Sequence, residues 1–400
     1  MTDLVLSGAQ RPDIHIQPGR SRRFRNGHPW LFSNEIVMDA AAKAIAPGSL
    51  VGITDAGGEK LGVATFNPHS LIAARILSRD AGAVIDADWI AARLERARAL
   101  RDLTIGRPFY RLIHAEADGL PGLIIDRYGD VFAVQTNSAG MENLLGLILP
   151  ALERLFAPRA VVLKNDSPVR RLEGLDLYDR LEQGELDGPV EIEENGARFL
   201  ADLIGGQKTG WFFDQRDNRA AVASLAQGRS MIDFYSYAGG FAIQAARAGA
   251  VRTVAVDRSD ASLDLARRSA ALNGIELEAV RADAFAEMER LKAAGERFGI
   301  VVADPPAFVK SKKDLAAGAK GYRKMTRLAA ALVEPGGFLL AASCSHHMTP
   351  DLFAEEVRHG LSQAGRDGRI LRASGAGADH PVHPFLPESA YLKALLLQLD

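Results

Sequence analysis

A single cysteine, Cys344, occurs in the 400 residues of this chain. No internal disulfide can form, so a reducing compartment is the expectation. The opening residues, Met1-Thr2-Asp3-Leu4-Val5, lack the basic and apolar stretches of a secretion signal. Apolar runs are too short, or too broken by polar residues, to span a bilayer. Together these absences lead us to expect a cytoplasmic protein with no membrane partner. Charge imbalance is also missing: 48 basic residues face 50 acidic ones, a net −2. That argues against wholesale polyanion binding and leaves room for a local basic face. No phosphate loop of the form G-x-x-x-x-G-K-[ST] occurs, and the glycines of a dinucleotide fingerprint are missing where one would be needed. Neither a nucleoside triphosphate nor a nicotinamide cofactor is therefore favoured. Internal repeats and low-complexity tracts are absent as well.

What remains is ordinary globular composition, 47% hydrophobic and 24% charged, in a chain long enough for two or three domains. Residues 11–80 read as a small β-barrel, with short β segments at 14–16, 50–54, 60–66 and 72–77 punctuated by Gly and Pro. Its segment 20–30 is rich in arginine, including Arg22, Arg23 and Arg25, and interleaved with Phe24 and Trp30. That mixture suits phosphate neutralisation and base stacking; a solvated loop is the alternative. Residues 85–190 open with an amphipathic helix bearing Trp89, Ile90, Leu94, Ala97 and Leu100 on one face. Strand-like runs follow at 122–126, 131–136 and 160–164, an α+β pattern with no visible catalytic constellation.

From residue 195 to the end, strand and helix alternate. Helices are expected at 216–226, 240–248, 261–273, 284–294, 322–332 and 350–364, with strands between the successive members. This predicts an α/β, Rossmann-like, mainly parallel sheet. The last apolar runs, 369–373 and 391–399, are joined without a crossover helix, which predicts antiparallel pairing.

The strand ends of this last region carry the chemistry. Asp233, Asp257 and Asp283 close three successive strands, and a fourth ends at Asp304-Pro305-Pro306. Open α/β sheets bind ligands beyond the carboxyl ends of their strands. After the first strand only the pair Gly239-Gly240 stands, preceded by Tyr235 and Tyr237. A carboxylate at Asp257 can accept both ribose hydroxyls of an adenosine. Asp283, followed by Ala284-Phe285, is placed to receive an adenine amino group. Each acid alone reads equally well as a helix cap. Ordered together, without a phosphate loop, they fit S-adenosylmethionine.

On these motifs the chain resembles class I methyltransferases. The carriers are Asp233-Phe234-Tyr235-Ser236-Tyr237-Ala238-Gly239-Gly240-Phe241, Asp257, Asp283-Ala284-Phe285 and Asp304-Pro305-Pro306-Ala307-Phe308. Three further runs, 206–219, 115–123 and 379–384, narrow the resemblance to the bacterial large-subunit (23S) ribosomal RNA cytosine-5 methyltransferases of the RlmI type. The resemblance covers nearly the whole chain. It implies a PUA RNA-binding domain over 11–80, a central RNA-methyltransferase-type domain over 85–190 and a methyltransferase domain over 195–400. Implied cofactor contacts are Phe213, Gln215, Asp233, Tyr235, Ala238, Gly239, Asp257, Arg258, Asp283, Ala284 and Asp304. Implied substrate contacts are Arg22, Arg23, Lys208, Pro305, Pro306, Phe308 and Lys310. Ribosomal RNA would be the partner, and a second copy of the chain stays open.

Carbon 5 of cytosine is a poor nucleophile. A thiolate adding to carbon 6 makes carbon 5 carbanion-like, and Cys344 is the one thiol available for that step. Ser345, His346 and the helix after Pro350 are local candidates to lower its pKa. Asp304 would hold the pyrimidine edge. Related RNA cytosine methyltransferases carry a second cysteine where Ala307 stands, so the base for proton release is not identified. His346 and His347 are adjacent and too few for a metal site, and none is expected. Two other functions fit the same residues. One is methylation of an exocyclic base amine, with Cys344 as a small buried hydrophobe. The other is a non-catalytic RNA-binding protein with a methyltransferase fold.

Overall fold

The structure, a computed structural model, describes residues 11–206 and 209–400. These fall into two compact units. The first comprises residues up to Pro189, with Asp202–Trp211 and Ala378–Ser389; the second comprises Val190–Ala201, Phe212–Gly377 and Ala390–Asp400.

The first unit holds two five-stranded sheets. One runs in the order Asp13–His15, Ser49–Thr54, Lys60–Phe66, Ala74–Ser78, Trp30–Leu31. Only its Asp13–His15 edge pairs parallel. Alternation along these strands buries Ile14, Leu31, Val51 and Phe66 in one core. The arginine-rich segment is no open loop. It forms a short helix, Arg22–Arg25, that turns Phe24 into this core, with the Arg79 guanidinium 4.5 Å from the ring centroid. The second sheet orders Tyr178–Gly184, Ala160–Asn165, Val131–Thr136, Leu123–Tyr128, Phe109–His114. Helices Ala87–Thr104 and Leu145–Phe156 pack Ile90, Leu94, Ile148 and Leu152 into the same cluster as Phe132 and Val134. Asp86 begins the first of these helices, accepting the Trp89 N–H at 2.8 Å.

Buried charges in this unit are paired. Arg101, 0% exposed, donates to both Asp118 oxygens at 2.6 and 2.8 Å and to the Asp379 carbonyl at 3.0 Å. The Arg111 N–H donates to the Asp379 carboxylate at 3.0 Å. The Asp379-His380 pair noted in the sequence is thus a buried anchor for the segment Ala378–Ser389, fixed by charge-assisted bonds that would be costly to break singly.

The second unit is built on one seven-stranded sheet: β1 (Ser230–Phe234), β2 (Arg252–Asp257), β3 (Glu278–Arg281), β4 (Phe298–Ala303), β5 (Val333–Ser343), β6 (Gly368–Ser374) and β7 (Lys393–Leu399). The order is β3-β2-β1-β4-β5-β7-β6. The first five strands are parallel, and β7 runs antiparallel between β5 and β6. Six helices accompany it: α1 (Arg216–Ala223), α2 (Gly240–Arg247), α3 (Asp260–Leu272), α4 (Ala284–Ala293), α5 (Leu315–Ala331) and α6 (Pro350–Ala364). Apolar runs buried on both faces explain the parallel core. One face of β4 and β5 sends Val301 and Leu339 against Met325 and Leu328 of α5. The other sends Ile300 and Leu340 into a cluster with Val222 of α1 and Phe241 of α2. Truncating a fully buried Leu339 to Ala would cost about 2–5 kcal/mol. Strand order reverses between β1 and β4, and a crevice at the carboxyl ends is the geometric consequence. Among the described residues no helix is long and apolar enough to cross a membrane.

Candidate active site

The loop from β1 to α2 is the most constrained segment of the sheet's carboxyl edge. Tyr235 and Tyr237 both adopt left-handed backbone, at φ 63° and 49°, and Gly239 follows at φ 76°. For non-glycine residues such conformations cost about 1–3 kcal/mol each and persist only when surroundings impose them. Asp257, at the end of β2, is one such restraint: its Oδ2 accepts the Tyr237 N–H at 3.0 Å and its Oδ1 the Ser259 N–H at 2.9 Å. Each oxygen keeps a lone pair for a ligand. A Cβ on Gly240 would sit 2.5 Å from Arg219 Nε, so that position requires glycine.

Three buried polar atoms on and before this loop have no hydrogen-bond partner among the described residues: Asp233 Oδ2, Tyr235 Oη and Ser236 Oγ. Orphaned atoms of this kind are rare in folded proteins and call for a ligand or water. Burial first, and then the charge of Asp304, hold the Asp233 carboxyl well above the usual carboxylate range. Burial, followed by the charge of Asp283, raises the Tyr235 phenol. A cationic ligand with polar groups suits these atoms. S-adenosylmethionine, a sulfonium with an amino-acid group and ribose hydroxyls, is a ligand of that kind.

Asp283 caps α4, its Oδ1 accepting the Ala286 N–H at 3.1 Å. The capping role expected of such an acid is therefore present. Ala284 is buried behind it. Phe285 stacks on Phe308 at 6.0 Å between centroids, and Phe308 leans on Tyr322 of α5 at 4.7 Å. These rings form an apolar wall beside the strand ends.

Asp304 follows the last residue of β4, with Pro305 buried and Pro306 exposed. Cys344, half-buried, follows the last residue of β5, and its Sγ lies 3.8 Å from the Pro305 carbonyl. Ser345 is fully buried; its Oγ shares a hydrogen bond with Tyr322 Oη at 2.8 Å and accepts the Val309 N–H at 3.1 Å. His346 is exposed and tilts over the Tyr391 ring at 5.4 Å.

Phe213 and Gln215 lie in a single 3-10 turn, Phe213–Gln215, that leads into α1, and both are buried. Gln215 Oε1 accepts from Asn218 at 2.7 Å, and the Arg216 guanidinium sits 5.5 Å from the Phe213 ring centroid. Between them, Asp214 Oδ2 accepts from Tyr391 Oη at 2.6 Å.

The second unit therefore contains Phe213, Gln215, Asp233, Tyr235, Ala238, Gly239, Asp257, Arg258, Asp283, Ala284, Asp304, Pro305, Pro306, Phe308, Lys310 and Cys344. Arg258 and Lys310 are exposed there, while Ala238 is fully buried. Arg22 and Arg23, both exposed, belong to the first unit. Arg23 approaches Glu35 at 3.6 Å and His28 at 2.7 Å. Arg25 is held by Asp55 and Glu59 at 2.7 and 2.5 Å. Lys208 lies outside the described residues. On α5, Lys324 pairs with Glu289 at 3.0 Å and Arg323 with Glu356 at 2.7 Å.

One residue near Cys344 was not singled out in the sequence. Lys393, on β7, is buried, and its Nζ donates to the Ser345 and Tyr391 carbonyls, each at 2.6 Å. Burial pulls its ammonium down to about 8, against an upward effect of Cys344. The available signal was a solitary charge in the otherwise apolar run 391–399. Among the described residues no group of three or more His, Cys, Asp or Glu is gathered as for a metal ion.

A strand order reversing at β1/β4, a strained loop after β1 and an acid at the end of β2 are features of a class I methyltransferase fold. Residues 178–398 match the family described as S-adenosylmethionine-dependent methyltransferase, and residues 14–79 match a PUA-like domain. Ribosomal RNA large subunit methyltransferase I of Klebsiella pneumoniae is 38% identical over 98% of each chain. The enzyme of the same name from Cronobacter sakazakii is 38% identical over 94% of this chain and 97% of its own. Among solved structures, a SAM-dependent methyltransferase assignment from Streptococcus mutans superposes with a TM-score of 0.80 at 20% identity, covering 97% of this chain and all of the other. SMU.776, solved in complex with SAH, gives 0.82 at 20% identity over 97% and 99% of the two chains. The chain belongs to the S-adenosylmethionine-dependent methyltransferases, in the family of ribosomal RNA large subunit methyltransferase I. It is an enzyme, and S-adenosylmethionine is its cofactor.

Proposed function

We propose that this enzyme methylates carbon 5 of a cytosine in large-subunit ribosomal RNA through a covalent adduct at Cys344. The observation that carries the reading is the approach of Cys344 Sγ to the Pro305 carbonyl, one residue beyond Asp304. A thiol and a carboxylate at the ends of adjacent strands are the groups that carbon methylation of a pyrimidine requires. The relatives named above, which carry this activity's ribosomal substrate in their names, support the choice of RNA. A ribosomal substrate also implies work in the cytoplasm.

Asp233, Tyr235, Ser236 and Asp257 would hold the cofactor, with Phe213 and Gln215 near its methionine end and Asp283 at the adenine. Bound there, S-adenosylmethionine supplies an electrophilic methyl group. Cys344 would add as thiolate to carbon 6; once carbon 5 carries the methyl, a base, water or Asp304, would take the carbon 5 proton as the carbon 6–sulfur bond breaks and returns the thiolate. Asp304 holds the pyrimidine edge and orients it. Phe308 extends the apolar wall on which the base would stack. The barrel over residues 11–80, through Arg22 and Arg23, and Lys310 in the methyltransferase region would contact phosphates. Lys208 belongs to the same proposed set.

Two measurements test this. Mass spectrometry of ribosomal RNA nucleosides should show 5-methylcytosine lost in a deletion strain and restored by the wild-type gene. A 5-fluorocytosine substrate should leave a covalent, cofactor-dependent adduct, because fluorine replaces the departing proton. An N-methylated base in place of 5-methylcytosine, with no adduct, would give the site to exocyclic amine chemistry instead.

A further inference from the structure

We infer that Lys393 is the positioning residue that holds Cys344 as a thiolate. The inference rests on the reading of Cys344 as nucleophile and extends it to the residue that prepares it. The geometry comes from the antiparallel return of β7. Lys393 pairs in register with Ser343, the residue before Cys344. Its Nζ donates to the carbonyl of Ser345, the residue after the cysteine, at 2.6 Å. A second bond, to the Tyr391 carbonyl at 2.6 Å, fixes the ammonium from its own strand. Two of its three donors are thereby on neutral carbonyls, and one remains.

Lys393 is 7% exposed, and among the described residues no carboxylate forms an ion pair with it. A buried cation without a counter-charge is costly. A thiolate at Cys344 supplies that charge, and by reciprocity the ammonium favours the thiolate. Burial lowers the amine to about 8, close to the ordinary thiol value of about 8.5. Thiol plus amine and thiolate plus ammonium therefore lie near each other in free energy. Passing between them breaks the S–H bond, leaves its electron pair on sulfur and forms one N–H bond. Proton count and net charge are unchanged, so no outside acceptor is required.

Other titratable groups around the pair act differently. Tyr322, from α5, is raised by burial and shares a hydrogen bond with Ser345. Asp304, after β4, acts through its charge on Asp233. Tyr391 donates its hydroxyl to Asp214, and His346 is exposed against the Tyr391 ring. Lys393 is the buried cation of this group.

Because Cys344 is the only cysteine, its alkylation reports on one thiol. Iodoacetamide labelling, read by intact mass between pH 6 and 10, should titrate in the wild type with a midpoint below 8.5. Lys393→Met should raise that midpoint and slow labelling at pH 7 by about tenfold. Lys393→Arg, which keeps the cation, should restore much of the rate, and it serves as the reference if the methionine variant unfolds, compared then with Lys393→Gln. A wild-type midpoint at or above 8.5, or a neutral variant that labels like the wild type, overturns the inference. The fluorocytosine adduct separates the two proposals. An adduct with an unmoved thiol titration removes the role of Lys393 and leaves the nucleophile standing. No adduct with a shifted titration removes carbon methylation and leaves the Lys393–Cys344 pair standing.

Discussion

Asp233 feels the negative charge of Asp304 from the neighbouring strand. Adjacent strands β1 and β4 pair Asp233 with Val302, two residues before Asp304. Burial and that charge together raise the Asp233 carboxyl well above its usual range. Its Oδ2, left without a partner among the described residues, is where a cation would relieve both effects.

A pH dependence of stability follows. The unfolded Asp233 loses its proton near pH 4, whereas the folded residue retains it to higher pH. Between those values the native state binds more protons, so this contribution is present in acid and is lost as pH rises through the folded pKa. Asp233→Asn should flatten that part of the profile in the cofactor-free protein. Thermal unfolding at stepped pH measures it; parallel wild-type and variant profiles would refute it.

Cofactor affinity should also rise with pH over the same range, because a cationic ligand favours ionised Asp233. Calorimetric titration with S-adenosylmethionine should show proton release on binding above pH 4. Buffers of different ionisation enthalpy reveal that release. The proton release should vanish in Asp233→Asn.

Asp257 restrains the Tyr237 backbone and keeps lone pairs for a ligand. Asp257→Ala should weaken cofactor binding by about 1.5–3 kcal/mol, roughly tenfold to a hundredfold. Unchanged calorimetric affinity would move the ribose elsewhere.

The arginine-rich helix Arg22–Arg25 should not act as one patch. Arg25 is already neutralised by Asp55 and Glu59, whereas Arg22 is exposed. The double variant Arg22→Ala, Arg23→Ala should flatten the slope of log RNA affinity against log salt by about 0.7–0.9 per lost phosphate contact. Arg25→Ala should leave the slope close to wild type. Filter binding across a salt series distinguishes them.

Cys344→Ser should keep fold and cofactor binding yet lose methyl transfer by several orders of magnitude. A serine hydroxyl is almost wholly protonated at neutral pH, while a few per cent of even an ordinary thiol is ionised. Near-normal turnover in this variant would defeat the covalent route.

Much of the second unit was legible in order along the chain. The helix expected over 350–364 is observed over Pro350–Ala364, because Thr349 caps it, Pro350 opens it and Gly365 ends it in left-handed backbone. The antiparallel pairing of the last two runs was legible from the missing crossover helix. Helix α5 was harder: expected over 322–332, it begins at Leu315, where Gly318 and Gly321 weaken the pattern. Gly318 is required by tertiary contact, since a Cβ there would meet the Phe308 carbonyl at 2.8 Å.

Local physics in the sequence determined the alternation of strand and helix, the acids at the strand ends and the lone thiol. Each depends on neighbours within a turn or two, so periodicity and spacing suffice. Only the tertiary structure decided which charges are spent and which are available. Arg25 meets acids 30 and 34 residues away, and Lys393 meets a carbonyl 48 residues away. A side chain's partner across such distances is set by sheet order and register, and its charge state by the burial that packing imposes. Neither is a property of the segment in which the residue lies.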